Sequence, residues 1–446
     1  MKPSIFKRLF SDKIATGLIV TIIVLVLARV LILPISPPGF YVDEAATGAH
    51  VVAMVTHQTN AQGKAWPLFS QSLGGGFTTP VYLYPLSLWS AIFGFSEIVL
   101  RAFSQCITII TILFMALSMR LWFGKRAGLI AAIVSLALPW NWLQGSIAWD
   151  PVMAPLMVSV AFFGFSLLMT RTSSKSRLSG MVLLPTSLIF MAYSYPPYWV
   201  SAPILFLTAY LTLYLKKYIS IKNIIVSCIA ATILAIPLLL FILQPNTLDR
   251  TSNIGVFSNV TILGGIGLFL KNILLLINPV FLFIYGDFNM RHSVGYQGML
   301  GLAALIPIGV LAWFAIKKCF RNKKQLFEHN EIILAVIGVC GFVISLIGSA
   351  LTNEGQPQSL RACGAWPFAV ILLTVGWCFI LRQKSRWLKW VTIILFIIAT
   401  LAYSIDLAFF FPSRSTRAFD TPERNKILSG QPLKYSSFGL KYYKTR

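Results

Sequence analysis

Uninterrupted apolar segments of about twenty residues recur along the chain, and they decide what it can fold into. Ile14–Leu33 and Ile224–Leu243 are the clearest. A run of ~20 apolar residues is long enough to cross a bilayer as a helix. Inside a bilayer every backbone N–H and C=O needs a partner within the protein, so such a segment is helical. The expected fold class is all-α, a polytopic membrane protein of about 11 transmembrane helices. Composition agrees: only 11% of residues are charged, against about 25% in soluble domains. The first segment is too long and wrongly flanked for a cleaved signal peptide, and reads as a retained helix.

A net charge of +24 brings nucleic acid to mind, but its distribution argues against that partner. Six clusters in short loops hold 22 of the 37 basic residues: Lys2 to Lys13, Arg120 to Arg126, Arg171 to Arg177, Lys216 to Lys222, Lys317 to Lys324 and Arg382 to Lys389. Loops rich in Lys and Arg between apolar segments are the positive-inside pattern of membrane proteins. The rule predicts eleven spans, over 14–34, 98–121, 127–147, 151–170, 179–195, 198–215, 224–243, 297–316, 331–350, 365–381 and 390–411. Between them lie a structured first outer loop, 35–97, and a long outer loop, 244–296. The apolar segment Thr79–Gly94 is short and interrupted by Pro80 and Pro85. Full crossing would turn every later basic cluster outward, so it is expected to stay interfacial or re-entrant. The spans and their loops, 1–411, form one domain, and 412–446 a short basic tail suited to anionic headgroups.

This topology sorts the acids. Asp12, Glu328 and Glu331 fall inside; Asp43, Glu44, Asp150, Asp287, Glu354 and the rest fall on or near the outer side. The adjacent pair Asp43-Glu44 follows the first span directly. Carboxylates amid membrane segments are costly unless they have work or a partner. Convergence of Asp43, Asp150, Asp287 and Glu354 with the few outer cations, among them Arg250, Arg291 and Arg361, would suit phosphate and hydroxyl chemistry. Bland readings stand beside these. Asp150 before Pro151 can cap a helix, Arg291 can snorkel to headgroups, and His292 can be a plain loop residue. Glu97 and Arg101 are spaced as an i,i+4 pair. Tyr193, Tyr195, Tyr198 and Trp199 suit an interfacial aromatic belt, with sugar stacking left open. The six cysteines have no metal-ligand spacing.

Several segments in order carry a family resemblance: Gly39-Phe-Tyr-Val-Asp-Glu-Ala45, Thr79-Pro80-Val-Tyr-Leu-Tyr-Pro85, Phe93-Gly-Phe-Ser-Glu-Ile-Val-Leu-Arg101, Trp122-Phe-Gly124, Leu138-Pro-Trp140 and Asp150. Tyr285-Gly-Asp-Phe-Asn-Met-Arg-His292 and Pro357-Gln-Ser-Leu-Arg361 come after them. Over about residues 1–400 the chain resembles the membrane glycosyltransferases of the GT-C fold, close to the protein O-mannosyltransferase and aminoarabinose-transferase group. It departs from them at Thr78-Thr79-Pro80, where the family has a His/Pro-Pro pattern, and in its short tail.

The resemblance implies a function. Such enzymes take a sugar from a polyprenyl-phosphate donor at the outer face of the cell membrane and pass it, with inversion, to a hydroxyl or related group. The acceptor is a protein, lipid or glycan. Asp43 matches the catalytic first-loop acid, with Glu44 orienting it or raising its pKa. Asp150 matches the second-loop acid, which orients the acceptor or, with Asp43, holds a divalent cation; no cofactor is required by the motifs. Arg291, His292 and Arg361 are the expected donor-phosphate ligands, since growing negative charge needs fixed donors. The rival classes are a lipid-linked sugar flippase or transporter and a polysaccharide polymerase or ligase. A transporter would place charges deep in broken helices, whereas here they gather at outer helix ends.

Overall fold

The computed structural model describes residues 12–72, 76–245, 247–321 and 330–419. Gly74 and Gly75, Glu328 and the basic tail from residue 420 therefore lie outside the described residues. Long helices dominate. The single sheet among the described residues pairs Ser70–Gln71 with Phe77–Thr78.

Contacts at the two ends of the bundle establish the alternation of the helices. At one end Arg126 pairs with Asp12 at 3.1 Å and Arg382 with Glu331 at 2.9 Å. At the other, Arg101 meets Glu44, Gln144 meets Ser359, and Arg414 meets Val294 O. Among the described residues eleven long helices make up the bundle. The helices are Lys13–Ile32, Glu97–Phe123, Lys125–Ala137 extended by Pro139–Gln144, Met153–Thr170, Ser174–Ser194, Tyr198–Leu215, Ile221–Ile242, Leu305–Arg321, Asn330–Ala350, Trp366–Arg382 and Arg386–Ile405.

Nine stretches among the described residues are long and apolar enough to cross a membrane. Eight coincide with expected spans. The ninth, Ile262–Ile284, falls within the expected 244–296 loop, which therefore contains helices Asp249–Ile254 and Ile262–Leu276. Its contacts keep it at one end. Val256 N donates to Leu351 O at 3.0 Å, and Asn272 Nδ2 donates to Ala350 O and Thr352 O, both at 3.0 Å. Further on, Met299 N donates to Phe281 O at 3.1 Å and Trp140 N to Met299 O at 2.9 Å. The segment thus lies across the end of the Asn330–Ala350 helix, and the alternation survives it. Helix Pro80–Phe93 also stays at this end: Tyr82 Oη bonds Ser104 Oγ at 2.7 Å and Trp89 Nε1 donates to Val99 O at 3.0 Å.

One expected span is broken. Pro139 has no N–H, so the helix from Lys125 stops at Ala137. Asn141 Nδ2 takes the freed Ser135 carbonyl at 2.8 Å, and fully buried Arg29 takes the Leu136 carbonyl with Nε and Nη2 at 3.2 and 3.0 Å. Arg29 also bonds Gln105 and Asn141. Irregular backbone at depth survives only with such replacements. The chain beyond the break carries Trp149 and Asp150 onto the wall of a cavity. On its far side a Cβ at Gly348 would lie 1.9 Å from Pro197 O, so only glycine lets the 195–198 turn pack there.

Candidate active site

The cavity holds about 720 Å³ and opens at the end of the bundle where the first loop sits. That size suits a small-molecule site, typically ~300–1,000 Å³. Asp43, Asp150, Arg250, Arg291 and Arg361 all line it, with Tyr41, Tyr195, Trp149 and Trp199.

Asp43 enters on the first turn of helix Val42–His57. Burial pushes its carboxyl above the ordinary range; a hydrogen bond from Tyr41 and the charges of Arg250, Arg291 and His292 pull it back. Burial likewise raises the Tyr41 phenol, and Asp43 raises it further. The Tyr41 hydroxyl accepts from Arg291 Nη1 at 3.1 Å, and the Arg291 guanidinium lies over the Tyr41 ring, 4.3 Å from its centroid. Asp150 begins a 3₁₀ turn before helix Met153–Thr170. The N-cap of that turn is Trp149, so Asp150 is its first residue rather than its cap. Its Oδ2 is buried without a hydrogen-bond partner among the described residues, and Asp43 and Thr79 stand near it.

Glu44 does not share the cavity. It is fully buried in the opposite direction and accepts four hydrogen bonds. Arg101 Nε and Nη2 donate at 2.8 and 2.7 Å, Ala148 N at 2.9 Å and Tyr41 N at 3.0 Å. Successive helical residues point about 100° apart at 3.6 residues per turn, so a carboxylate facing the bundle turns its neighbour to the cavity. The expectation that Glu44 works directly beside Asp43 is corrected accordingly. Arg101, whose charge Glu97 also favours, gathers Glu44 and the carbonyls of Pro37 and Gly39, at 2.7 and 2.9 Å.

His292 is also placed behind the wall. Its Nδ1 bonds Asp287 Oδ2 at 3.0 Å, and its ring meets Trp149 at 5.9 Å between centroids. Asp287 accepts from Ser359 N at 2.8 Å and Ser359 Oγ at 3.1 Å, which joins the 285–295 loop to the loop carrying Arg361. Arg361 lines the cavity but is heavily engaged: Nη1 donates to Thr352 Oγ1 at 2.8 Å and Nη2 to Glu354 Oε2 at 2.5 Å. The Arg361 hydrogen bond holds Glu354 below the usual carboxylate range.

Sequence reasoning did not single out Arg250, Tyr41 and Tyr195 for the site. Arg250 was visible as one of the few cations on that side. Tyr195 and Trp199 line the cavity, while Tyr198 is buried with its hydroxyl accepting from Gly364 N at 2.7 Å, so these rings form no simple belt. Among the described residues no group of three or more His, Cys, Asp or Glu is placed to hold a metal.

The fold is similar to that of solved membrane transferases. ArnT from Cupriavidus metallidurans bound to undecaprenyl phosphate superposes with a TM-score of 0.56 at 11% identity, covering 97% of this chain and 86% of that one. The Archaeoglobus fulgidus oligosaccharyltransferase tethered to an acceptor peptide gives 0.55 at 14% identity over 96% and 59%. The oligosaccharyltransferase AglB from Archaeoglobus fulgidus, with an inhibitory peptide and a dolichol-phosphate, gives 0.52 at 15% identity over 99% and 61%. The chain thus spans about three-fifths of the archaeal enzyme's length. No family model matches the sequence, and no curated protein matches it either. At such identities the likeness is one of fold.

Proposed function

We propose that this chain is a glycosyltransferase that moves a sugar from a polyprenyl-phosphate donor to an acceptor hydroxyl or related group. The observation that carries this reading is the cavity in which Asp43 and Asp150 stand with Arg250, Arg291 and Arg361 at one end of a GT-C bundle. Solved relatives of the fold with undecaprenyl phosphate or dolichol-phosphate support the donor class. The positive-inside pattern supports an active site on the outer side of the cell membrane.

Asp43 is the base. The acceptor oxygen attacks the anomeric carbon, its proton passes to Asp43, and the bond from that carbon to the phosphate oxygen breaks. One such displacement inverts the anomeric centre. A general base of this kind is effective only within hydrogen-bond reach of the proton it takes, and the Tyr41 hydroxyl orients Asp43 for it. Negative charge grows on the departing lipid phosphate, where Arg291 receives it, with Arg250 and Arg361 on the cavity wall. His292 serves by holding Asp287 and the Arg291 loop.

Asp150 orients the acceptor. Its unpartnered Oδ2 and the Asp43 carboxylate also make a fitting pair for a divalent cation, since Mg²⁺ typically uses one or two carboxylates plus substrate phosphate. Such an ion would neutralise phosphate charge.

The test is an assay of purified protein with short-chain polyprenyl-phosphate sugars, following release of polyprenyl phosphate in the presence of hydroxyl acceptors. Turnover that depends on Asp43 is expected. Movement of the intact lipid-linked sugar across vesicles, without bond cleavage, would replace this reading with a flippase.

A further inference from the structure

The last described segment of the chain folds back onto the site. Helix Arg386–Ile405 runs into a π-helical turn, Asp406–Phe410, and then into helix Phe411–Phe419. A π turn inserts extra backbone into a helix and re-aims the chain beyond it. Arg414 locks the new direction: Nη1 and Nη2 grip Asp406 at 2.7 and 2.8 Å, Nη2 reaches Val294 O at 3.2 Å, and the guanidinium lies 4.6 Å from the Tyr296 ring centroid. Phe411 and Phe419 are fully buried, 6.2 Å apart edge-on, and Phe419 meets the Tyr41 ring edge-on at 6.4 Å.

The end of this helix touches the chemistry. Ala418 O accepts from Arg291 Nε at 3.1 Å. Arg291 Nη1 then donates to Tyr41 Oη, and Tyr41 bonds Asp43. A carbonyl on the last helix is therefore three links from the proposed base. Nη2 of Arg291 makes no hydrogen bond to a described residue and is left for the cavity. An arginine fork binds an oxyanion well only when its plane is held in advance, and the Ala418 carbonyl and the Tyr41 ring hold it here.

We propose that helix Phe411–Phe419 is a working part of the active site, a clasp in which Arg414 and Phe419 are positioning residues that set Arg291 for the donor phosphate and Tyr41 for Asp43. This rests on the polyprenyl-phosphate reading for what Arg291 binds, but not for the clasp itself.

Two measurements on the full-length protein in detergent test it. In the first, a short-chain polyprenyl phosphate without sugar is titrated against wild type, Arg414→Ala, Arg414→Lys, Phe419→Ala, Arg291→Ala and the doubles with Arg291→Ala. Arg414→Ala and Phe419→Ala are expected to weaken binding by about 10-fold, the scale of one lost charged hydrogen bond. Arg414→Lys should recover part of the loss. In the Arg291→Ala background neither change should weaken binding further, because the clasp acts through Arg291. Full additivity would reduce the helix to a structural prop and overturn the proposal.

The second measurement is hydrogen exchange. Arg414→Ala should speed exchange at residues 289–295 and 41–45 while leaving helix Met153–Thr170 unchanged. Unchanged exchange at both loops would overturn the clasp even if the lipid binds. If wild type binds no polyprenyl phosphate, the functional reading falls and exchange alone decides the clasp.

Discussion

Replacing Glu44 by glutamine separates two adjacent carboxylates that the fold has given opposite tasks. Glu44 takes Ala148 N and Arg101 Nε on Oε1, and Tyr41 N and Arg101 Nη2 on Oε2. A glutamine has one acceptor oxygen and one NH₂, so in either flip two donors face a donor. Each stranded buried donor costs about 1–3 kcal/mol, and Arg101 keeps a buried charge without its counter-ion. Breaking a buried pair from one side typically costs ~3–5 kcal/mol. Glu44→Gln should therefore fall well short of wild type in thermal stability, read from tryptophan fluorescence in detergent. Activity should fade with the folded fraction. Asp43→Asn is expected to behave in the opposite way. Burial holds the Asp43 carboxyl above its ordinary range, so its ionised form weakens the fold at neutral pH, and asparagine removes that penalty. Stability should hold or rise while turnover collapses. A Glu44→Gln protein as stable as wild type, yet as inactive as Asp43→Asn, would refute the division of labour argued from these contacts.

Asp43→Asn should lose turnover by ~10²–10⁴-fold, the usual scale for general-base loss, with polyprenyl-phosphate binding retained; near-normal turnover would remove Asp43 as the base. Because Asp43 must be ionised to accept a proton and its pKa is raised, activity should disappear as pH falls through a value above the ordinary aspartate range. Arg291→Ala should move that limb further up, since Arg291 favours the charged form; a limb that stays put would place the titrating group elsewhere. Arg291→Ala should also weaken polyprenyl-phosphate binding by about 1.5–3 kcal/mol, with Arg291→Lys recovering only part because lysine lacks the planar fork. Cysteines placed at exposed Phe288 and Lys175 of a cysteine-depleted protein should label from opposite sides of the membrane; labelling from one side would break the topology.

The helical membrane architecture was legible in the residues, because hydropathy is a property of single segments. So was the placing of Asp43 and Asp150, which stand at the ends of segments that any alternating bundle brings together. Where local reading failed, the missing information was rotational or long-range. The 244–296 segment has the apolar length of a span, and only its contacts with the Asn330–Ala350 helix keep it at one end. Nothing local says that Arg101 grips Glu44, 57 positions away.

Hydropathy and charge spacing alone specify an all-α bundle with carboxylates and arginines at helix ends, because bilayer solvation acts on each segment separately. Which of them share a cavity was set by the packing of the folded chain. It turned Glu44 into the bundle and Asp43 out of it. It set His292 behind Trp149, brought Arg250 and Tyr195 to the wall, and returned helix Phe411–Phe419 to Arg291. Those outcomes depend on contacts such as Arg291 with Tyr41 across 250 positions and with Ala418 across 127, and on the phase of each helix, which packing sets and composition does not.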